Sequence, residues 1–292
     1  MLSPARVAVL LLVILFNFSR GYRLLRRHRM VMAGGFGAPK PSTAKKQPAK
    51  EATSSPQYKL TKKGDGTATA SNHCPTLDLA WPRLRCVHHD PPVFEIDRFL
   101  PHDVCDEIVA RAQCDGVMVS SRTFSADFAS KRTSTTWYVP YATVPELLDP
   151  LNRLTGWPIT QYEEPQVVRY EIGQQFSWHY DAIPKSLQDD SGNRLGTFIV
   201  YLNDVEGAGA TCFKDLGIQV KPEKGKALLF FPCTKDGVPD ERTLHAGQVA
   251  MDTKWILQVW VHERDYSPKT PTGTNHRDGI EAVERLRAAK DA

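Results

Sequence analysis

The chain has six cysteines but no Cys-x-x-Cys pair, which argues against a zinc ribbon and a thioredoxin-type redox site. It has no Gly-x-Ser-x-Gly elbow, no Gly-rich phosphate loop ending in Gly-Lys-Ser/Thr and no His-Glu-x-x-His helix. The hydrolase, nucleotide-driven and zincin chemistries that depend on those motifs therefore have nothing to carry them. It also lacks an apolar run of bilayer length, since VAVLLLVILF (7–16) falls well short of the roughly 20 residues of a spanning helix. Acid is missing at the front: the first 50 residues hold ten Lys or Arg and no Asp or Glu. The formal charge of +4 thus belongs to that leader, because the rest carries 27 bases against 33 acids. The folded part has no basic excess with which to hold nucleic acid, and none is expected as a partner.

What the leader does contain reads as targeting. Arg6 precedes the apolar run, five arginines follow it within 13 residues, and the basic GGFGAPKPSTAKKQPAK comes next. Residues 1–30 fit a signal peptide, a signal anchor or the first part of a bipartite leader, and residues 31–75 a disordered basic linker. The expected destination is the endoplasmic reticulum, with N-terminal membrane association, and the alternative is a plastid. Cys74 with Cys86 is the cheapest disulfide to draw; buried free thiols are the other reading.

From Pro91 onward the texture is that of a fold. VFEIDRFL alternates like a strand, while PHDVCDEIVARAQ and VPELLDPLNRLTG have apolar positions at helical spacing. After Gln166 come short β-branched and aromatic runs, QVVRYE, TFIVYLN, ATCFKD, KALLFFP, HAGQVAM and KWILQVWVHE, separated by turn residues. Strands following helices predict a mostly β, α+β domain: a double-stranded β-helix, or jelly roll, with a helical buttress. Its bounds are read as 92–266, and residues 267–292 as a tail with a terminal helix in GIEAVERLRAAKDA.

The chemistry lies in SWHYD. Residues two apart on a strand share a face, so His179 and Asp181 can grip one ion together. Two ligands are too few. Of the later histidines, His276 sits in a polar tail, His262 ends a strand where solvated histidines are common, and His245 enters a β-run after a loop and is the best placed. Two histidines and a carboxylate with open positions make the facial triad of non-haem iron oxygenases. His88 and Asp90 also spell His-x-Asp, but they precede Pro91-Pro92 in the approach to the fold. Lys254 shares a strand face with Ile256, Gln258 and Trp260. Buried there it needs an anion; at a strand end it can instead reach solvent.

YEIGQQFSWHYD, GNRLGTFIVYLNDVEGAGATCF, HAGQVAMDTKW and KWILQVWVHER, in that order, resemble the catalytic domain of prolyl 4-hydroxylases in the Fe(II)/2-oxoglutarate dioxygenase superfamily. One departure is a segment from His245 to Lys254 a residue shorter than the common pattern, placed at Met251-Asp252. The resemblance implies that His179, Asp181 and His245 bind Fe(II), and that Lys254, Tyr170 and Thr197 bind the distal carboxylate of 2-oxoglutarate. It implies that Arg194, at the catalytic centre, lines the peptide groove with Arg132, Trp137 and Glu163. It further implies O2 as co-reactant, a proline-containing peptide or protein as substrate, hydroxylation at C4 of proline with decarboxylation of 2-oxoglutarate to succinate, and L-ascorbate as the reductant that restores the iron. Two other readings stand beside it: a related dioxygenase acting on another side chain or a small amino acid, and an iron-free binding module.

Overall fold

The computed structural model describes residues 70–114, 116–122, 132–269 and 274–292. The expected targeting segment and most of the expected linker lie outside the described residues. Two antiparallel sheets form the body. The larger runs β1 (Leu84–His89), β2 (Pro92–Ile96), β10 (Ala227–Phe230), β7 (Arg194–Tyr201), β12 (Lys254–His262), β5 (Gln166–Tyr170), β4 (Thr135–Tyr138) and β3 (Val119–Ser120) in that spatial order. The smaller runs β6 (Phe176–His179), β11 (His245–Gly247), β8 (Thr211–Phe213) and β9 (Ile218–Val220). This is the expected jelly roll, and the chain passes between the sheets repeatedly.

The two central strands explain how the body holds together. Every residue of β7 and β12 is buried, so these strands read as near-continuous apolar runs rather than as alternating ones. Their two faces serve different cores. Trp255, Leu257, Val259 and Val261 face the larger cluster with Phe198 and Val200, while Ile256, Ile199 and Tyr201 face the smaller cluster with Phe213 and Phe230. The larger cluster is closed by helices α1 (His102–Ala112) and α2 (Pro145–Thr155), which add Ile108, Leu147, Leu148, Leu151 and Leu154. Each such side chain contributes about 1.5–3 kcal/mol by leaving water. α2 has Pro145 in its first turn and stops at Gly156, whose φ of 71° is the left-handed cap that glycine takes at least cost. The expected terminal helix is present as α3 (His276–Asp291), capped by the Asn275 side chain and tied to α2 by an ion pair of Arg287 with Asp149 at 2.7 Å.

Two expectations need correction. The fold does not start at residue 92: β1 pairs with β2, and Ala70, Cys74 and Leu77 are buried in the larger cluster. The Ser/Thr/Lys-rich composition upstream hid these few apolar anchors. Cys74 and Cys86 are not joined: the Cys74 thiol donates to the Thr155 carbonyl at 3.4 Å and that of Cys86 to the His88 carbonyl at 3.1 Å. All six cysteines are free thiols.

Candidate metal and cosubstrate site

β6 and β11 lie side by side in the smaller sheet, and His179 at the end of one is the direct partner of His245 at the start of the other. Asp181 follows two residues after His179. One ligand atom from each of the three lies within 4.8 Å of the others, and among the described residues this is the group of three or more such side chains that could hold a metal ion. The imidazoles stand 4.2 Å apart by ring centroid. Asp181 is 4% exposed and His245 3%.

The protonation pattern says what fits between them. His179 Nδ1 is 2.7 Å from the Ser177 carbonyl, and His245 Nδ1 is 3.0 Å from the Thr243 carbonyl. A carbonyl only accepts, so each Nδ1 carries a hydrogen and each ring turns its Nε2 inward. Those Nε2 atoms lie 3.5 and 3.6 Å from the oxygens of Asp181. Burial, reinforced by the neighbouring His245, drives the His179 pKa down to about 3, so this ring is neutral at pH 7. Asp181 stays ionised: burial pushes its pKa up, but the two imidazoles, Arg194 and the Thr197 hydroxyl outweigh it and bring it to about 2. The Nε2 lone pair of neutral His179, facing a carboxylate, is repelled unless a cation sits between them. Two nitrogens and one oxygen on one side of an ion suit a six-coordinate transition metal with positions left open.

Next to this group runs a pocket lined by Tyr170, Thr197, Thr211, Lys254, Gln258 and Trp260 as well as the three ligand residues. Lys254, Ile256, Gln258 and Trp260 all line it, as the alternation of β12 predicts. Lys254 is 2% exposed, so it does not reach solvent. Its ammonium donates to the Gly209 carbonyl at 2.8 Å and lies 4.5 Å from the centroid of the Tyr170 ring. Among the described residues no carboxylate stands within ion-pair distance, and burial lowers its pKa to about 8. A buried cation satisfied by a single carbonyl and an aromatic face is a seat for an anion.

Thr197 lines this pocket and has a second partner in it. Its hydroxyl donates to Asp181 Oδ2 at 2.7 Å, which makes it an orienter of the metal group. A residue that sequence reasoning missed, Thr211, lines the same pocket as Lys254, and its hydroxyl oxygen accepts from Tyr201 at 2.8 Å. Its own hydrogen is thereby available to a ligand. The sequence signal was the Gly-Ala-Thr turn entering β8, visible but undistinguished from many others.

The four expected groove residues separate. Glu163 and Arg194 form a two-pronged buried pair at 2.6 and 2.9 Å, with the guanidinium carbon 3.8 Å from the Trp260 ring centroid. His262 joins them, its Nε2 2.6 Å from Glu163 and its Nδ1 3.0 Å from the Ser191 hydroxyl. The strand-end reading of His262 as a solvated residue was wrong, for it is 1% exposed. Arg132 is also buried, stacked 5.1 Å over Phe176, whose ring in turn lies on His179 with centroids 3.4 Å apart. It donates to Ser134, the Arg122 carbonyl and Gln166, each at 3.4 Å. Trp137 packs half-buried against the larger hydrophobic cluster and does not line the metal pocket. His88 and Asp90 do not converge: His88 Nδ1 is 2.7 Å from the Pro91 carbonyl, while Asp90 pairs with Arg242.

The sequence pattern of the 2OG-Fe(II) oxygenase superfamily matches residues 165–262. The probable prolyl 4-hydroxylase 4 of Arabidopsis thaliana is 29% identical over 233 residues, covering 70% of this chain and 78% of that protein. The prolyl 4-hydroxylase subunit alpha-2 of Gallus gallus is 36% identical over 132 residues, covering 44% of this chain and 25% of its own. Among solved structures, the viral collagen prolyl hydroxylase of Paramecium bursaria Chlorella virus-1 with 2OG superimposes with a TM-score of 0.48 at 28% identity, over 58% of this chain and 95% of that one. The matched segment contains both halves of the metal group and Lys254, and over it the chain is similar to 2OG-Fe(II) oxygenases.

Proposed function

We propose that the protein hydroxylates C4 of peptidyl proline, with His179, Asp181 and His245 holding Fe(II) and Lys254 holding the far carboxylate of 2-oxoglutarate. It is a 2-oxoglutarate-dependent dioxygenase. The observation that carries the residue assignment is the buried ammonium of Lys254, which among the described residues has no carboxylate partner, in the pocket that also contains the metal group. When bound, Fe(II) supplies the redox chemistry that couples O2 to decarboxylation of 2-oxoglutarate to succinate.

The chain's own residues do the rest. The Ser177 and Thr243 carbonyls fix the tautomers of His179 and His245, and Thr197 fixes Asp181. Tyr170, under the Lys254 ammonium, and Thr211 complete the anion seat. Arg132, on the stack over His179, and the Glu163–Arg194–His262 group beside Trp260 are the polar walls from which a peptide is positioned. Holding the prolyl C–H at a fixed place is what such walls contribute to rate. Trp137 enters this reading as a support of the wall from β4. L-ascorbate would be the reductant that keeps iron in its ferrous state. The endoplasmic reticulum is the proposed location, reached through residues 1–30 with N-terminal membrane association; the apolar run and the five arginines after it support this, and the acid-free stretch behind them keeps a plastid leader as the alternative.

The test is succinate release by the purified protein against a panel of proline-rich peptides, with hydroxyproline measured in the product. Release dependent on peptide, Fe(II) and 2-oxoglutarate is expected. Release no greater than the peptide-free background for every proline peptide would move the substrate to another side chain or a small amino acid.

A further inference from the structure

The loop that delivers His245 is held from behind by a segment with no part in the pocket. Residues 70–77 lie against residues 231–240: the Lys235 N–H donates to the Asn72 carbonyl at 2.8 Å, and the His73 ring packs 5.6 Å from that of Phe231. His73 Nε2 stands 3.9 Å from Asp240 Oδ2, both side chains being largely buried. Asp240 is the junction. Its Oδ1 accepts the Arg242 N–H at 3.1 Å, capping the short helical turn Glu241–Thr243. Both its oxygens bind the Arg242 guanidinium, at 2.9 and 2.7 Å, and that guanidinium reaches on to Asp90 at 2.9 Å. Its carbonyl accepts the Thr243 N–H at 3.0 Å and the Thr243 hydroxyl at 2.6 Å. The Thr243 carbonyl is the group that faces His245 Nδ1.

One carboxylate therefore fixes the turn whose last carbonyl sets the tautomer and direction of a metal-facing imidazole. We propose that Asp240 is a positioning residue for His245, and that residues 70–77, most of which composition assigns to a linker, are the clamp that seats it. The inference rests on the metal reading of His179, Asp181 and His245. Groups that orient a metal-bound histidine are worth about 10–100-fold in metal affinity, and Asp240 acts one step further back, through a backbone carbonyl.

The experiment is a Co(II) titration of the full chain, followed by its visible absorption, with the melting temperature of the metal-free protein measured in parallel. Asp240→Ala should weaken Co(II) by about tenfold. Asp240→Asn keeps an oxygen for the Arg242 N–H but loses the charge, so it should show a smaller loss with a melting temperature near wild type. His73→Ala should shift affinity in the same direction. A purely structural Asp240 would lower the melting temperature and leave the Co(II) affinity of the folded protein untouched, and that result would overturn the proposal. Should Asp240→Ala fail to fold, wild-type affinity in Asp240→Asn and His73→Ala together overturns it. His245→Ala separates the two layers: a wild-type Co(II) band that survives this substitution would overturn the metal reading and this inference with it, whereas a band lost in His245→Ala but unaltered in the Asp240 variants would overturn this inference alone.

Discussion

Thr197 on β7 donates its hydroxyl hydrogen to Asp181 Oδ2 at 2.7 Å, in a space where neither side chain meets solvent. Resemblance gives Thr197 to the cosubstrate, and its hydrogen bond gives it a role at Asp181. The two assignments separate in Thr197→Val, which removes the hydrogen bond and leaves a buried carboxylate oxygen short of a donor, a loss of about 1–3 kcal/mol. Metal affinity should fall roughly tenfold, while the KM for 2-oxoglutarate at saturating metal stays close to wild type. Thr197→Ser should restore most of the metal affinity. A raised KM with unaltered metal affinity would return Thr197 to the cosubstrate.

His179→Ala, Asp181→Ala and His245→Ala should each abolish turnover and strongly reduce iron content after reconstitution, because two ligands cannot hold the geometry of three. Asp181→Glu should be nearly as damaging, since its longer arm moves the oxygen away from both imidazoles. His88→Ala is the control, being engaged with the Pro91 carbonyl instead. Iron analysis and succinate assays on the five variants check this together, and severe iron loss in His88→Ala would overturn the assignment.

The histidine–aspartate pair and Lys254 were legible because strand alternation is a local rule: in KWILQVWVHE it put Lys254, Ile256, Gln258 and Trp260 on one face, and all four line the pocket. His245, and not His262, converges with His179 and Asp181, while His262 is buried rather than solvated. What buries it is the cross-chain group of Glu163, Ser191 and Tyr266, and no periodicity in WVHERD announces partners 71 and 99 residues away. The start of the fold escaped for a related reason. Ala70, Cys74 and Leu77 fill sites on the surface of a core built elsewhere, so their own segment needs no amphipathic pattern. Thr197 and Thr211 both lie in β-runs, and which of them faces an anion depends on which already has an acceptor.

The Glu163–Arg194–His262 group offers a stability test. Burial raises the Glu163 pKa, yet Arg194 and His262 outweigh it and hold the carboxyl at about 2, below its ordinary 4.5. A carboxylate with a depressed folded-state pKa contributes stability that is fully present above the ordinary value and is lost as pH falls from there toward 2. Glu163→Gln strands a buried guanidinium and should destabilise by about 3–5 kcal/mol. Chemical denaturation of wild type and variant at pH 7 and at pH 3 should show the gap narrowing at the lower pH. An equal gap at both would mean that Arg194 finds its compensation elsewhere.

Lys254 decides whether the pocket takes a dicarboxylate. Among the described residues its ammonium pairs with no acid, so the cosubstrate's far carboxylate would be its first, and breaking a charge-assisted pair of this kind costs about 2–5 kcal/mol. Lys254→Ala should raise the KM for 2-oxoglutarate by roughly thirty-fold or more, at about 1.4 kcal/mol per decade, with metal binding preserved. Lys254→Arg keeps the charge but not the compact head that fits between Gly209 and Tyr170, and should rescue part of the loss. The pH dependence follows from a pKa near 8 in the free protein. Below it the lysine is charged and 2-oxoglutarate affinity is flat; above it affinity falls as the proton is lost. Stability without cosubstrate should move the other way. Between about 8 and the ordinary 10.5 the unfolded chain binds the extra proton, so stability from this group rises with pH across that window. Titrating 2-oxoglutarate into the anaerobic Fe(II) protein between pH 7 and 9.5, by its visible charge-transfer band, reads the affinity without a peptide. Equal affinity in wild type and Lys254→Ala would show that the buried ammonium serves the fold and not the cosubstrate.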